Sequence, residues 1–195
     1  MAHDIRPSAA ARRNPDDPIG DEGRTSLLVV PPEPVRRAAD EYRRRYHPAA
    51  FERLPAHMTV IYPYAPVEAW PELLPGLAAV ARSLAPFTVR LAAWGGGMGR
   101  RDGGFGWLAA DPAPFMAMRE RFLAASPEAC RTTDGFRPHL TVGWFPGGAG
   151  FDEAWEAVRH EAVDQAFRLD HLWLARAGRR GVWTMEHRLE LGDGP

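Results

Sequence analysis

Short β-branched and aromatic runs alternate along this chain with longer amphipathic ones, and Pro or Gly stands at most of the junctions between them. Apolar runs of roughly four to eight residues bounded by turn formers predict buried strands, and apolar residues recurring at helical spacing predict helices. "SLLVV" (26–30), ended by Pro31 and Pro32, predicts a strand, and "PVRRAADEYRRRY" (34–46), opening on Pro34, predicts a helix. "HMTVIYPY" (57–64) predicts a strand stopped by Pro63, and "AWPELLPGLAAVARSLA" (69–85) a helix despite its internal Pro and Gly. "FTVRLAAW" (87–94) predicts another strand, after which the glycine-rich "GGGMGRRDGG" (95–104) reads as a flexible hairpin loop leading to "FGWLAA" (105–110).

From there the order repeats. Strand "FGWLAAD" leads through Pro112 into helix "PFMAMRERFLAA" (114–125), then strand "HLTVGWF" (139–145) and helix "FDEAWEAVRHEA" (151–162), where Phe151, Trp155 and Val158 fall at helical spacing. A strand over "AFRLDHLWLARA" (166–177), a tight "GRRG" (178–181) and a last strand "VWTMEHRLEL" (182–191) close the chain. Val30 lines up with Ala110, His57 with His139, Trp94 with Trp173, Arg100-Arg101 with Arg179-Arg180 and Trp107 with Trp183, each about 80 residues on, which predicts two β-α-β-α-β lobes related by a pseudo-two-fold.

At 195 residues and 45% hydrophobic content the chain is long enough for one full core. Residues 1–25 hold Pro, Gly, Asp, Asn and Arg with almost nothing to bury, so a disordered arm is expected ahead of a single domain over 26–195. A balance of 24 basic against 25 acidic residues lacks the broad positive field of a protein that grips long nucleic acid, and leaves room for a small anionic ligand. Every basic residue is Arg, a bias of the whole composition that weakens arguments from arginine abundance. Cys130 is the only cysteine, which excludes an intramolecular disulfide and a thiolate metal cluster and fits a reducing cytoplasm. No apolar run approaches membrane-spanning length and the N-terminal stretch lacks the apolar core of a secretion signal, so a soluble, cytoplasmic, monomeric protein with no membrane partner is expected.

One phrase is written twice. "LPAHMTVIYPY" (54–64) and "RPHLTVGWFP" (137–146) each carry Pro, His, an apolar residue, Thr-Val, an aromatic and a second Pro. Strand alternation sends His57 and Thr59 to one face, like His139 and Thr141, while Met58, Val60, Leu140 and Val142 point the other way into a core. If the lobes face each other, two imidazoles and two hydroxyls converge, a set suited to a phosphodiester. One neutral His takes a proton from the attacking oxygen, an imidazolium returns one to the leaving oxygen, and the hydroxyls bind the non-bridging oxygens. A lone H-x-T triplet is more often a hydrogen-bonded structural pair; duplication in equivalent places is what favours catalysis.

The pair "HMTV" and "HLTV" resembles the H-x-[ST]-h motifs of the two-histidine (2H) phosphoesterase superfamily, which includes 2′-5′ RNA ligases and cyclic phosphodiesterases, over roughly residues 25–191. The resemblance implies an α+β fold, bilobal and duplicated, with two antiparallel sheets lining a central cleft and helices outside. It also implies metal-independent chemistry without a cofactor, on a 2′,3′-cyclic phosphate or related small phosphodiester. His57 and His139 take the catalytic places, and Thr59 and Thr141 those of the phosphate-binding hydroxyls. The expected protein is therefore a phosphodiesterase acting on a small phosphodiester or nucleotide. The alternatives are an RNA end-processing enzyme, ligase-like or a trimming nuclease, and a non-catalytic nucleotide- or RNA-binding module. The former needs a basic track from the cleft, and the latter would tolerate Asn, Gln or Arg where both His and both Thr stand.

Further candidates are weaker. Tyr62 and Trp144 follow their histidines by five positions, which strict alternation puts on the wrong face, so lining the cleft requires a turn at the strand end. Arg137 is placed to pair with phosphate, though its counterpart is Pro55. Arg100-Arg101 and Arg179-Arg180 are candidates for a basic rim, with surface solubility as the competing explanation. The Gly-rich run has no G-x-G-x-x-G opening a helix, and "HEAVD" (160–164) is not H-E-x-x-H, so dinucleotide-fingerprint and zinc-protease readings fail. His171 and His187 are read as structural or exposed, His3 and His47 have no visible partner, Cys130 lacks a neighbour that would activate a thiol, and Arg43 to Arg45 reads as a solvated face.

Overall fold

A computed structural model describes residues 22–98, 103–126 and 136–192 of the protein. The N-terminal arm up to residue 21, Arg100-Arg101 and Cys130 lie outside the described residues. The elements run β1 (Thr25–Val29), α1 (Glu33–Tyr46), a short α2 (Pro48–Phe51), β2 (Met58–Ile61), α3 (Trp70–Arg82), β3 (Phe87–Met98), β4 (Gly103–Ala109), α4 (Ala113–Ala124), β5 (His139–Phe145), α5 (Phe151–Val158), β6 (Gln165–Leu169), β7 (His171–Ala177) and β8 (Trp183–Glu190). Helix α1 starts where Pro34 and Glu33 suit a first turn and ends where Arg43, Arg44 and Arg45 suit the negative end of the helix dipole.

The fold is α+β, and its eight strands make one curled antiparallel sheet in the order β6-β3-β4-β5-β2-β1-β7-β8, not the two sheets expected. The expected single strand over 166–177 is two, interrupted at the exposed Asp170: β6 pairs with β3 at one edge, whereas β7 lies between β1 and β8 near the other. A one-residue link cannot span a flat eight-stranded sheet whose strands are roughly 5 Å apart, so the sheet must curl until these regions meet. The contiguous lobes of the sequence reading are also rearranged. Strands β3 and β4 sit with β5 and β6, while β7 and β8 from the chain's end sit with β1 and β2, and Trp107 and Trp183 occupy non-equivalent strands.

One core joins the elements. Met58, Val60, Leu140 and Val142 are all within it, with Val35 and Ala39 of α1, Leu77 and Ala81 of α3, and Phe115, Met118 and Phe122 of α4. The glycine run expected to form a loop is largely strand: β3 extends through Gly95–Gly97 to Met98 and β4 begins at Gly103. At Gly103 a Cβ would fall 2.4 Å from the Phe151 ring, so the absent side chain is what lets α5 lay its aromatic face on the hairpin.

Both motif strands carry the same irregularity. Leu28 pairs with Thr59 but Leu27 with Ile61, which leaves Val60 as an extra residue in β2; Gly106 pairs with Thr141 but Phe105 with Gly143, which leaves Val142 extra in β5. Such a bulge shifts the alternation by one. Val60 and Ile61 are therefore both buried, as are Val142 and Gly143, and the residue after each pair returns to the face of the histidines. The backbone of Gly143 lies under Phe105, whose ring would stand 2.4 Å from a Cβ there. Gly143→Val should accordingly destabilise the protein by about 2 kcal/mol through overpacking, lowering the melting temperature by about 4–8 °C. An unchanged melting temperature in thermal unfolding would show that Phe105 gives way freely and that the bulge does not need its glycine.

Candidate active site

Strands β2 and β5 are antiparallel neighbours joined through the single pair Met58↔Leu140. Continuing that register one residue each way sets His57 across from Thr141 and Thr59 across from His139, with Cβ atoms at cross-strand distances of roughly 5 Å. Since Met58 and Leu140 are fully buried on one face, the four motif side chains share the other. Each imidazole is anchored identically: the Nδ1 of His57 donates to the Pro55 carbonyl at 3.0 Å, and the Nδ1 of His139 donates to the Arg137 carbonyl at 2.6 Å. A carbonyl only accepts, so both rings carry their proton on Nδ1 and present Nε2 as the reactive nitrogen.

A cavity of about 510 Å³ opens over this face. Ser26, Leu28, Thr59 and Thr141 form its strand side together with His57, and Tyr62, Trp144 and Trp183 add aromatic surface. A further wall comes from the end of α1, α2 and the turn into β2, with Arg43, His47, Arg53 and Leu54. The Trp183 ring leans on Tyr62 at 6.1 Å, the Tyr62 hydroxyl accepts a hydrogen bond from Arg24 at 2.8 Å, and the His47 ring lies 6.5 Å from Trp144. Among the described residues, no group of three or more His, Cys, Asp or Glu is placed to hold a metal ion.

Arg43 departs from the solvated-face expectation: it is 2% exposed, while Arg44 and Arg45 are exposed and lie over the Phe51 and Tyr46 rings. Its guanidinium donates to Asp40 at 2.6 Å and to the carbonyls of Ala50 at 3.0 Å and Leu54 at 2.5 Å, so it ties α1 to the segment that delivers His57. Helical spacing with Val35 and Ala39 was the available signal for its burial. Burial pushes the His57 pKa down to about 4, against the pull of the Pro55 carbonyl, and the charges of Arg43, His139 and His47 add to the depression. His139 is also lowered by burial and by Arg137, and its own carbonyl contact opposes this. His47, missed in the sequence for want of a partner, is depressed to about 4 by burial and then by Arg43 and Arg53.

Tyr62 and Trp144 both line the cavity, brought to that face by the bulges and not by a terminal turn. Arg137 is exposed and is not among the cavity residues; its carbonyl orients His139. Arg179 and Arg180 are exposed in the turn just before Gly181, which touches the cavity. His171 donates to Asp170 at 2.5 Å, and His187 meets the Trp70 ring edge-on at 5.5 Å.

Two motif strands meeting at the centre of a curled antiparallel sheet, with paired imidazoles and hydroxyls on its concave face, define a phosphoesterase-type architecture. The chain belongs to the 2′-5′ RNA ligase superfamily, whose family model matches residues 31–181, and this membership supports a phosphoesterase-type function. The fold is similar to that of Escherichia coli LigT complexed with 3′-AMP, with a TM-score of 0.62, 17% identity and coverage of 87% of this chain and 98% of that one. It is also similar to TT0787 of Thermus thermophilus, with a TM-score of 0.61, 21% identity and coverage of 86% and 97%. Usb1 of Kluyveromyces marxianus shares the fold at a TM-score of 0.57 with 10% identity, covering 88% and 99%. No curated protein matches the sequence significantly. Among the described residues, no helix is long and apolar enough to cross a membrane.

Two outcomes follow from the electrostatics. His47 and His57 sit near 4 when folded and at 6.5 when unfolded, so between those values the unfolded chain binds protons that the folded chain refuses. Stability is therefore full above about pH 6.5 and falls as pH drops towards 4, and His47→Asn should flatten that fall in denaturant titrations at pH 7 and pH 5; an equal slope in the variant would refute the assignment. Arg43→Met strands Asp40 and two carbonyls and should cost about 3 kcal/mol, read as a lower denaturation midpoint; a change under about 0.5 kcal/mol would mean that the guanidinium is dispensable.

Proposed function

We propose that the protein is a metal-independent phosphodiesterase that opens a 2′,3′-cyclic phosphate, or a closely related small phosphodiester, by paired acid–base catalysis. The observation that carries this reading is the cross-strand quartet of two Nδ1-anchored imidazoles and two hydroxyls, of which His57, Thr59 and Thr141 line the cavity while His139 stands beside it on the same sheet face. A cyclic phosphate bound over the quartet has its non-bridging oxygens within reach of the Thr59 and Thr141 hydroxyls, which donate to the charge that grows there during attack.

The step balances on two protons. One Nε2 takes a proton from water as its oxygen bonds to phosphorus, and the second imidazole, entering as imidazolium, protonates the ribose oxygen as its bond to phosphorus breaks. The product is a ribose monophosphate, and the two histidines end with their protonation states exchanged. We assign His57 as the base, because the adjacent Arg43 guanidinium holds it neutral in addition to burial. His139, two residues after the exposed Arg137, is then the acid, and the anionic phosphate raises its pKa towards the working range. A cavity of about 510 Å³ is of nucleotide size, which supports a nucleoside carrier for the phosphate.

Hydrolysis of the four nucleoside 2′,3′-cyclic monophosphates in the presence of EDTA tests this reading. Turnover should follow a bell-shaped dependence of kcat/KM on pH. His57→Ala and His139→Ala should each reduce it by about 10²–10⁴-fold, and Thr59→Ala or Thr141→Ala by about 10²-fold. Activity that survives both histidine substitutions would remove the quartet from the chemistry. Inertness towards all four compounds, with cleavage of oligoribonucleotide ends, would transfer the same chemistry to RNA end processing; binding without any turnover would leave a recognition module.

A further inference from the structure

The cavity wall built by α1, α2 and the turn into β2 is not used by the reaction above. It presents Arg43, His47 and Arg53, and among the described residues no carboxylate lines the cavity. Arg43 is committed to Asp40 and two carbonyls, which leaves the other two. Neither the Arg53 guanidinium nor the His47 imidazole has a hydrogen-bond or ion-pair partner among the described residues, although both are half-buried. The backbone of Arg53 is nonetheless held at both ends, its N–H donating to the Ala50 carbonyl at 3.1 Å and its carbonyl accepting from the Trp183 N–H at 2.9 Å. An uncommitted guanidinium on a fixed base, beside a second donor and facing a cavity, is a preorganised anion receptor.

We propose that Arg53 and His47, backed by the charge of Arg43, form a second anion subsite that binds a phosphate group carried by the substrate in addition to the one undergoing attack. The proposal rests on the phosphoesterase reading for the position of the first phosphate. It explains a cavity far larger than a single phosphate needs, with Trp144 and Trp183 supplying apolar surface for the ribose and base. It also gives Arg53 and His47 the acceptor that the protein itself does not provide. The second phosphate is either a terminal 5′-phosphate on the same nucleoside or the next phosphodiester of a short chain; guanidinium recognition is common to both.

Calorimetric titration at constant ionic strength separates these sources, using adenosine 3′-monophosphate, adenosine 3′,5′-bisphosphate and a 3′-phosphorylated adenosine dinucleotide as probes. The bisphosphate or the dinucleotide should bind at least tenfold tighter than the monophosphate. Arg53→Gln should reduce that ratio to below threefold, with Arg53→Lys retaining part of it and thermal melting confirming that both variants fold. A gain for either probe supports the subsite and identifies the source of its phosphate. A gain for neither, or a ratio unaffected by Arg53→Gln, overturns it. Hydrolysis of adenosine 2′,3′-cyclic phosphate without this preference would leave the reaction standing and the subsite refuted; preference without hydrolysis would do the reverse.

Discussion

The pairing of Met58 with Leu140 joins two halves of a sheet that, among the described residues, have no other ladder contact, and the geometry of the site descends from it. Because the strands are antiparallel, one backbone register turns two H-x-T triplets into a square in which each histidine faces the other strand's threonine. A slip of one residue would send the buried Met58 or Leu140 to the cavity and a histidine to the core. The apolar members of the motif thus enforce the placement of the polar ones, and burial of Val60 and Val142 at the next positions reinforces the same choice. The curl required by the one-residue link at Asp170 then makes the face bearing the square concave.

Regular strands would not have completed the site. The matched bulges at Val60 and Val142 bring Tyr62 and Trp144 round to the cavity, so that aromatic surface adjoins the hydroxyls on both strands. Arg43 has a similar enabling role at the other wall. Its buried guanidinium satisfies two carbonyls of the irregular segment between α1 and β2, and the same charge also sets the field at His57 and His47.

Much of this was legible in the chain. The alternation around His57 and His139 specified which residues face together, and Pro, Gly and periodicity located all but the shortest helix to within a few residues. What was not legible is non-local. The two motif strands' adjacency, the single sheet and the crossing at Asp170 depend on pairing between segments far apart in sequence, about which local propensity is silent. The bulges left one trace, the glycine at 143 within an otherwise apolar strand, whose meaning depends on a ring from β4 passing over it. Arg43 was misread because composition places arginine at the surface, whereas its spacing from Val35 and Ala39 placed it on the buried stripe. His47 and Arg53 carried no motif at all and acquire meaning only from the wall they share.

The free protein holds both motif histidines below their ordinary pKa, which is an apparent conflict for the proposed reaction, in which one of them must be protonated. Their environment resolves it. The depression arises from desolvation and from neighbouring cations, Arg43 at His57 and Arg137 at His139, and an anion in the cavity counters the cations and supplies a counter-charge that outweighs desolvation of the imidazolium. A phosphate offsets the cations and stabilises an imidazolium beside it, so ligand binding and proton uptake become one event. In the proposed reaction the resting site is thereby kept neutral among buried groups, and the acid is generated only when the group it is to protonate is present.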